Sequence, residues 1–237
     1  MIDPNDLPKF DAGTYQKPLG ALAEVLAQKL RREATKLIRP PYAAIDMHVI
    51  LRVAMRAYDL LHYINADERR EKDPDWRLTY TISSLPLVRN MIDCLYNITT
   101  ILQDPGVNGP WYRKSGFMKA FRALEEDEQR YGGQAKWDDW IDASRRMLDF
   151  AMRDAGLTIT EVMAQKEPWP TMGKYLSDRQ PGGVQTPHQQ FLRTFTYGFW
   201  REYSAIAHSG FEGLLLVGMY YVPDFFMHDD REKLETQ

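Results

Sequence analysis

The sequence predicts an all-α protein, a single-domain bundle of about seven helices with a Pro/Gly-rich loop before the last two. Apolar residues recur at three- and four-residue spacing along most of the 237 positions, which is the period of one helix face. Prolines, paired glycines and charged runs cut that pattern into pieces of helix length. No alternating pattern of strand length competes with it. A composition of 44% hydrophobic and 27% charged residues suits an ordinary globular domain, and a chain of this length buries a sizeable core.

Residues 1–17, with Pro4, Pro8 and Gly13, read as an irregular arm on a helical domain spanning 18–228. Residues 229–237 read as a polar tail. A first helix is expected from Pro18, whose missing donor costs nothing in a first turn, to Arg39-Pro40-Pro41, since a residue before proline avoids helical geometry. A second should run from Ala43 to Asn65, with Ile50, Val53, Ala54, Ala57, Leu60, Leu61 and Ile64 facing inward. ADERREKDPDW then reads as a solvated turn. A third helix is expected over 84–103 with Ser83 or Ser84 as cap, and helix is also the assignment for 76–83.

Asp104 to Pro110 reads as a loop. Beyond it, Phe117, Phe121 and Leu124 mark a helix ending at Tyr131-Gly132-Gly133. The Gly-Gly hinge implies an antiparallel hairpin with a helix over 136–155, whose inward residues are Trp137, Trp140, Ile141, Met147, Leu148 and Ala151. Residues 156–187 are broken by prolines and glycines and hold one or two short helices, for example 159–165. The last two helices are expected before Ser209-Gly210 and over 211–221.

Net charge is −3, which argues against nucleic-acid binding by broad phosphate neutralisation and leaves room for a small local RNA site. Cys94 stands alone, so neither an internal disulfide nor a multi-cysteine zinc site is expected; a buried, inert thiol is. The opening MIDPNDLPKFDAG has no signal-peptide pattern. The apolar run 214–222 falls short of the ~20 residues that cross a bilayer. The expected location is cytoplasmic, without a membrane partner. Walker A, GxGxxG, GxSxG and HExxH motifs are all missing from the sequence, removing the functions they mark. Asp59-Leu-Leu-His62 has the spacing of a di-iron carboxylate helix, but such bundles need two acid-x-x-His motifs, so no metal is expected.

The chain is organised around 186–222. Phe191, Phe195, Tyr197, Phe199, Trp200 and Tyr203 would point in nearly every direction from a helix, and a helix apolar all round is usually buried. Arg201, Ser204 and His208 share one stripe of it at seven- and four-residue spacing. Arg89, Asp93 and Tyr96 share a face of the third helix by the same arithmetic. If the two faces meet, Asp93 orients His208 while Arg89 and Arg201 bind an anion. A histidine so held works as an acid or base near neutral pH.

RNMIDCLYN, the tryptophan loop EPWPTMGKYL and FWREYSAIAHSGFEG together resemble an uncharacterised bacterial all-helical family of the HEPN-like class, over roughly residues 80–215. In that family an Arg-x-x-x-acid helix precedes a Tyr-Ser-x-x-x-His helix, here Arg89 and Asp93, then Tyr203, Ser204 and His208. Arg201 and His208 also match the Arg-x(4–6)-His motif of HEPN ribonucleases, which implies metal-independent RNA cleavage across a homodimer. It implies catalytic roles for Arg201 and His208, with Tyr203 and Ser204 positioning the phosphate. The residue after the motif arginine is Glu202, where active members typically carry Asn, Asp or His. The bland alternative is a non-catalytic helical binding, regulatory or scaffold protein in which the cluster is structural.

Overall fold

The computed structural model describes residues 12–66, 74–177 and 185–207, and among them the regular structure is entirely helical. Helix α1 (Ala12–Lys29) begins ahead of Pro18, so residues 12–17 belong to a helix rather than to an arm. Pro18 then sits inside that helix at the cost of one i→i−4 bond. A π-helical turn (Leu30–Ala34) carries α1 into a last short stretch, Thr35–Leu37. Helix α2 (Pro41–Asn65) opens on Pro41, as the proline rule for first turns requires.

Helix α3 (Pro74–Gln103) runs unbroken through the segment read as helical at 76–83, so Pro86 lies within it and neither serine is a cap. Helices α2 and α3 are antiparallel. Ala43 and Met47, early in α2, share a core cluster with Ile101 at the far end of α3, while Leu60 shares a groove with Leu87.

Helix α4 (Pro105–Tyr131) overturns the loop expected at 104–110. Asp104 caps it by accepting the Val107 N–H at 3.2 Å, and Pro105 takes the first helical position. Gly109 is a contact residue, not a turn residue: a Cβ there would stand 2.7 Å from the Ala43 Cβ, so α2 and α4 touch nearly backbone to backbone. The Gly132-Gly133 turn, with Gly133 at φ +75°, returns the chain as α5 (Ala135–Asp154). Helix α6 (Ile159–Met163) starts with a capping box between Thr158 and Glu161. Helices α7 (Met172–Ser177) and α8 (Pro187–Leu192) follow, the latter boxed by Thr186 and Gln189. A second π turn (Arg193–Tyr197) joins α8 to α9 (Gly198–Ala207). The expected helix at 211–221 and the polar tail lie outside the described residues.

Three apolar clusters hold these helices together. The first joins α2 and α3 around Met47, Ile101 and Trp169. The second joins α4, α5 and the start of α6 around Met118, Met152 and Val162. The third sets α7, α8 and α9 on α3 around Tyr96, Met172 and Leu192. Burial departs from the expected faces in three places. On α2, Val53 and Leu60 are exposed while Ala43, Ala44 and Met47 are buried, because α3 and α4 meet α2 on its small-residue side. On α5, Trp140 and Met147 are exposed, since among the described residues the helix is packed on the flank that faces α4. Around α9, Phe195 and Phe199 are 65% and 56% exposed, so the helix is covered on one side and is not the enclosed element its composition implied.

Candidate functional site

Helix α9 packs against α3, and the residue it brings to the Arg89–Asp93 pair is Trp200. Trp200 donates its indole N–H to Asp93 Oδ1 at 2.7 Å. The other Asp93 oxygen lies 3.9 Å from Arg89 Nε, an ion pair with side chains 25% and 37% exposed. The Arg89 guanidinium stands 5.8 Å from the Trp200 ring centroid, within cation–π range. Tyr197 stacks on the same indole at 6.0 Å. From the side of α7, Gly173 permits the approach, because a Cβ at that position would stand 3.3 Å from the Trp200 ring. Trp200 therefore closes a seam between two segments far apart in sequence.

Ser204 lies one helical turn beyond Trp200, on the same side of α9. Its Oγ is buried and has no hydrogen-bond partner among the described residues, and Arg89 Nε is in the same condition. Arg201 is exposed and Tyr203 half-buried on the flanks of α9. His208 lies outside the described residues, so its expected contact with Asp93 does too. The partner that Asp93 does have, Trp200, is one the residue pattern did not single out.

Tyr96 is not part of the seam. It is 2% exposed, donates to the Pro170 carbonyl at 2.9 Å, and packs against Trp169 and Tyr175; burial pushes its phenol well above the ordinary range. Cys94 is buried as expected, its thiol raised to about 11 by burial and then by the Asp93 charge, which makes it a poor nucleophile. Trp169, in the loop quoted for the family resemblance, is a structural hub. Its backbone N–H donates to Ser115 Oγ at 2.9 Å and its indole N–H to Asn97 Oδ1 at 2.8 Å.

A polar chain that sequence reading passed over ties α8 to α3. His188 is 8% exposed. Its Nδ1 is 3.0 Å from Tyr175 Oη and its Nε2 is 2.9 Å from Thr99 Oγ1. The Thr99 hydroxyl donates to the Leu95 carbonyl at 2.8 Å, so it can only accept from His188. That fixes the tautomer: Nε2 carries the proton and Nδ1 accepts from Tyr175. Burial holds the imidazole pKa below its ordinary value. The available signal was the capping box Thr186-Pro-His-Gln189, which places His188 in a first helical turn but does not say what it faces.

Among the described residues no group of three or more His, Cys, Asp and Glu side chains is arranged to hold a metal ion. Asp59 pairs with exposed Arg56 at 3.3 Å, and His62 lies edge-on to Tyr58. No described helix is long and apolar enough to cross a membrane. Fold and site thus define an all-helical protein with a tryptophan-closed ionic seam between two sequence-distant helices. No family model, curated protein or solved structure matches the chain.

Proposed function

We propose that this chain is a metal-independent, HEPN-like ribonuclease that holds an RNA phosphate at the seam between α3 and α9. The observation that supports it is the pair of buried polar atoms, Arg89 Nε and Ser204 Oγ, on facing helices, both without a hydrogen-bond partner among the described residues. Each costs roughly 1–3 kcal/mol while it lacks a partner, and a phosphate oxygen is an acceptor suited to both. Arg201 adds an exposed guanidinium that makes no ion pair among the described residues. In this reading His208 removes the proton from the RNA 2′-hydroxyl, and the 2′-oxygen attacks phosphorus. The bond to the 5′-oxygen breaks and the imidazolium returns the proton to it, leaving a 2′,3′-cyclic phosphate and a 5′-hydroxyl. Arg201 stabilises the charge that builds on the phosphorane oxygens. Arg89, Tyr203 and Ser204 hold the phosphate, and Asp93 keeps Arg89 in place. The exposed apolar stripe Ile45, Val49, Val53 and Leu60 on α2 offers a surface for the homodimer such enzymes use.

One observation favours a second reading. The Trp200–Asp93 hydrogen bond makes sense without any ligand, as a latch that fixes the last described helix on a non-catalytic scaffold. Purified protein incubated with tRNA and total RNA in EDTA separates the two. The ribonuclease reading expects new 5′-hydroxyl ends from the wild type and none from the Arg201→Ala/His208→Ala variant at unchanged helicity. Intact RNA with the wild type, together with a lowered melting temperature for Asp93→Ala, selects the latch.

A further inference from the structure

Away from the seam, a cavity of about 730 Å³ opens between α2, α4, α5 and the segment carrying Trp169. That volume lies within the range of small-molecule sites. Its aromatic wall is set before any ligand arrives. The Trp169 indole N–H is held by Asn97 and its backbone N–H by Ser115, and Tyr112 and Trp111 meet the ring in T-shaped contacts at 5.2 and 5.1 Å. Phe117 and Phe150 complete the apolar lining.

The polar lining is unbalanced once its internal bonds are assigned. Both Asp46 oxygens are occupied by Arg113, from Nε at 2.9 Å and Nη2 at 2.6 Å, and the Tyr42 ring backs that guanidinium at 4.5 Å. Arg113 Nη1 has no hydrogen-bond partner among the described residues. The Asn97 oxygen accepts from Trp169, and because an indole only donates, the amide NH₂ of Asn97 must be the group left over. Lys119 is exposed at the mouth. Arg113 Nη1, the Asn97 amide and Lys119 therefore offer donors, two of them cationic groups; the Tyr112 and Ser115 hydroxyls can give or take a bond, and Asp154 at the rim is the lining's acceptor-only group without a partner among the described residues. An occupant must bring acceptors, and next to a fixed indole it should bring a flat ring.

We infer that this cavity binds a small aromatic molecule carrying an anionic group, with its ring against Trp169 and Phe117 and its anion toward Arg113, Asn97 and Lys119. The site is independent of the ribonuclease reading, since it shares none of the seam residues. An aromatic carboxylate and a mononucleotide both have this chemistry. The two are distinguished by titrating the full chain calorimetrically with indole-3-acetate and with adenosine 5′-monophosphate. Each is paired with its uncharged counterpart, indole-3-acetamide or adenosine.

Saturable binding of at least one anion is expected, at least about tenfold tighter than its neutral partner; which anion binds identifies the source. Gly116→Leu is the blocking variant. Gly116 lines the cavity, a Cβ there meets nothing within 4 Å, and leucine favours the middle of a helix over glycine. Binding should fall at least about tenfold while the melting temperature holds or rises. Lys119→Met, at an exposed position, should bring the anion's affinity toward that of the neutral compound. The inference is overturned if neither anion binds saturably, if the neutral partners bind equally well, or if both variants bind like the wild type.

Discussion

Arg113→Met should be among the most damaging single substitutions in this protein, and the reason lies with Asp46. Arg113 and Asp46 form a two-bond pair with side chains 18% and 17% exposed. Even with that guanidinium in place the Asp46 carboxyl pKa is raised, because burial outweighs the hydrogen bonds and charge of Arg113. Methionine would remove the opposing contribution and leave a buried carboxylate alone. Breaking a buried pair from one side costs about 3–5 kcal/mol, a large part of the ~5–15 kcal/mol that holds a typical domain together. Replacing both partners, as Asp46→Leu/Arg113→Met, should return stability to within about 1 kcal/mol of the wild type, since apolar packing substitutes well for a buried pair. The pH dependence has a definite sign. A carboxyl whose folded pKa is raised favours the fold when protonated, so the single variant's deficit is full at neutral pH and shrinks as pH falls through that raised value. Urea unfolding followed by far-ultraviolet circular dichroism, at neutral and mildly acidic pH, measures all of this. A single variant within about 1 kcal/mol of wild type, or a double variant no better than the single, would refute the reasoning.

Three further outcomes are expected. His188 has a folded pKa below its ordinary value, so its contribution is fully present above the unfolded value of about 6.5 and is lost as pH falls below it; His188→Phe should flatten that part of the stability-versus-pH curve. Gly109→Ala would push a methyl into Ala43, itself 0% exposed. It should cost about 1–3 kcal/mol in chemical denaturation despite the better helix propensity, with partial rescue by Ala43→Gly. Trp200→Phe keeps the ring and loses the donor to Asp93. It should cost about 1 kcal/mol, since the carboxylate is partly solvated, and hydrogen exchange should rise in the amides of α9 more than in those of α2.

Periodicity carried the helix class and most helix spans, because an amphipathic repeat is a local property of the chain. It misplaced the start of α4. Pro105, Gly106, Gly109 and Pro110 have the composition of a loop, but proline at a first helical position and glycine at a helix crossing have the same composition. It also overstated burial on α5 and α9, since a repeat reports which residues could be covered and not whether a neighbour is there to cover them. That the Arg89–Asp93 face meets α9 was a condition the sequence could state and not decide, since spacing defines each face and not what it faces. Trp200 as the donor to Asp93 was not legible, because a lone indole N–H on the segment gives no sign of which acceptor the fold brings to it. Nor was the Tyr175–His188–Thr99 chain, whose members are separated by 13 and 89 positions. Only the folded path brings them within bonding distance.

The π turn at Arg193–Tyr197 changes how the length of this segment should be understood. Such a turn houses one residue more than an α-helix of equal rise. Leu192 and Trp200 would point about 80° apart on a uniform α-helix, yet both face the cluster on α3, because the surplus residue is taken up between them. Excising exposed Thr194 should let the turn relax to plain α geometry while Trp200 keeps its aim at Asp93, with a melting temperature close to wild type. A one-residue deletion usually scrambles every helical position after it. Here the chain carries slack of one residue at the spot where its alignment is most demanding.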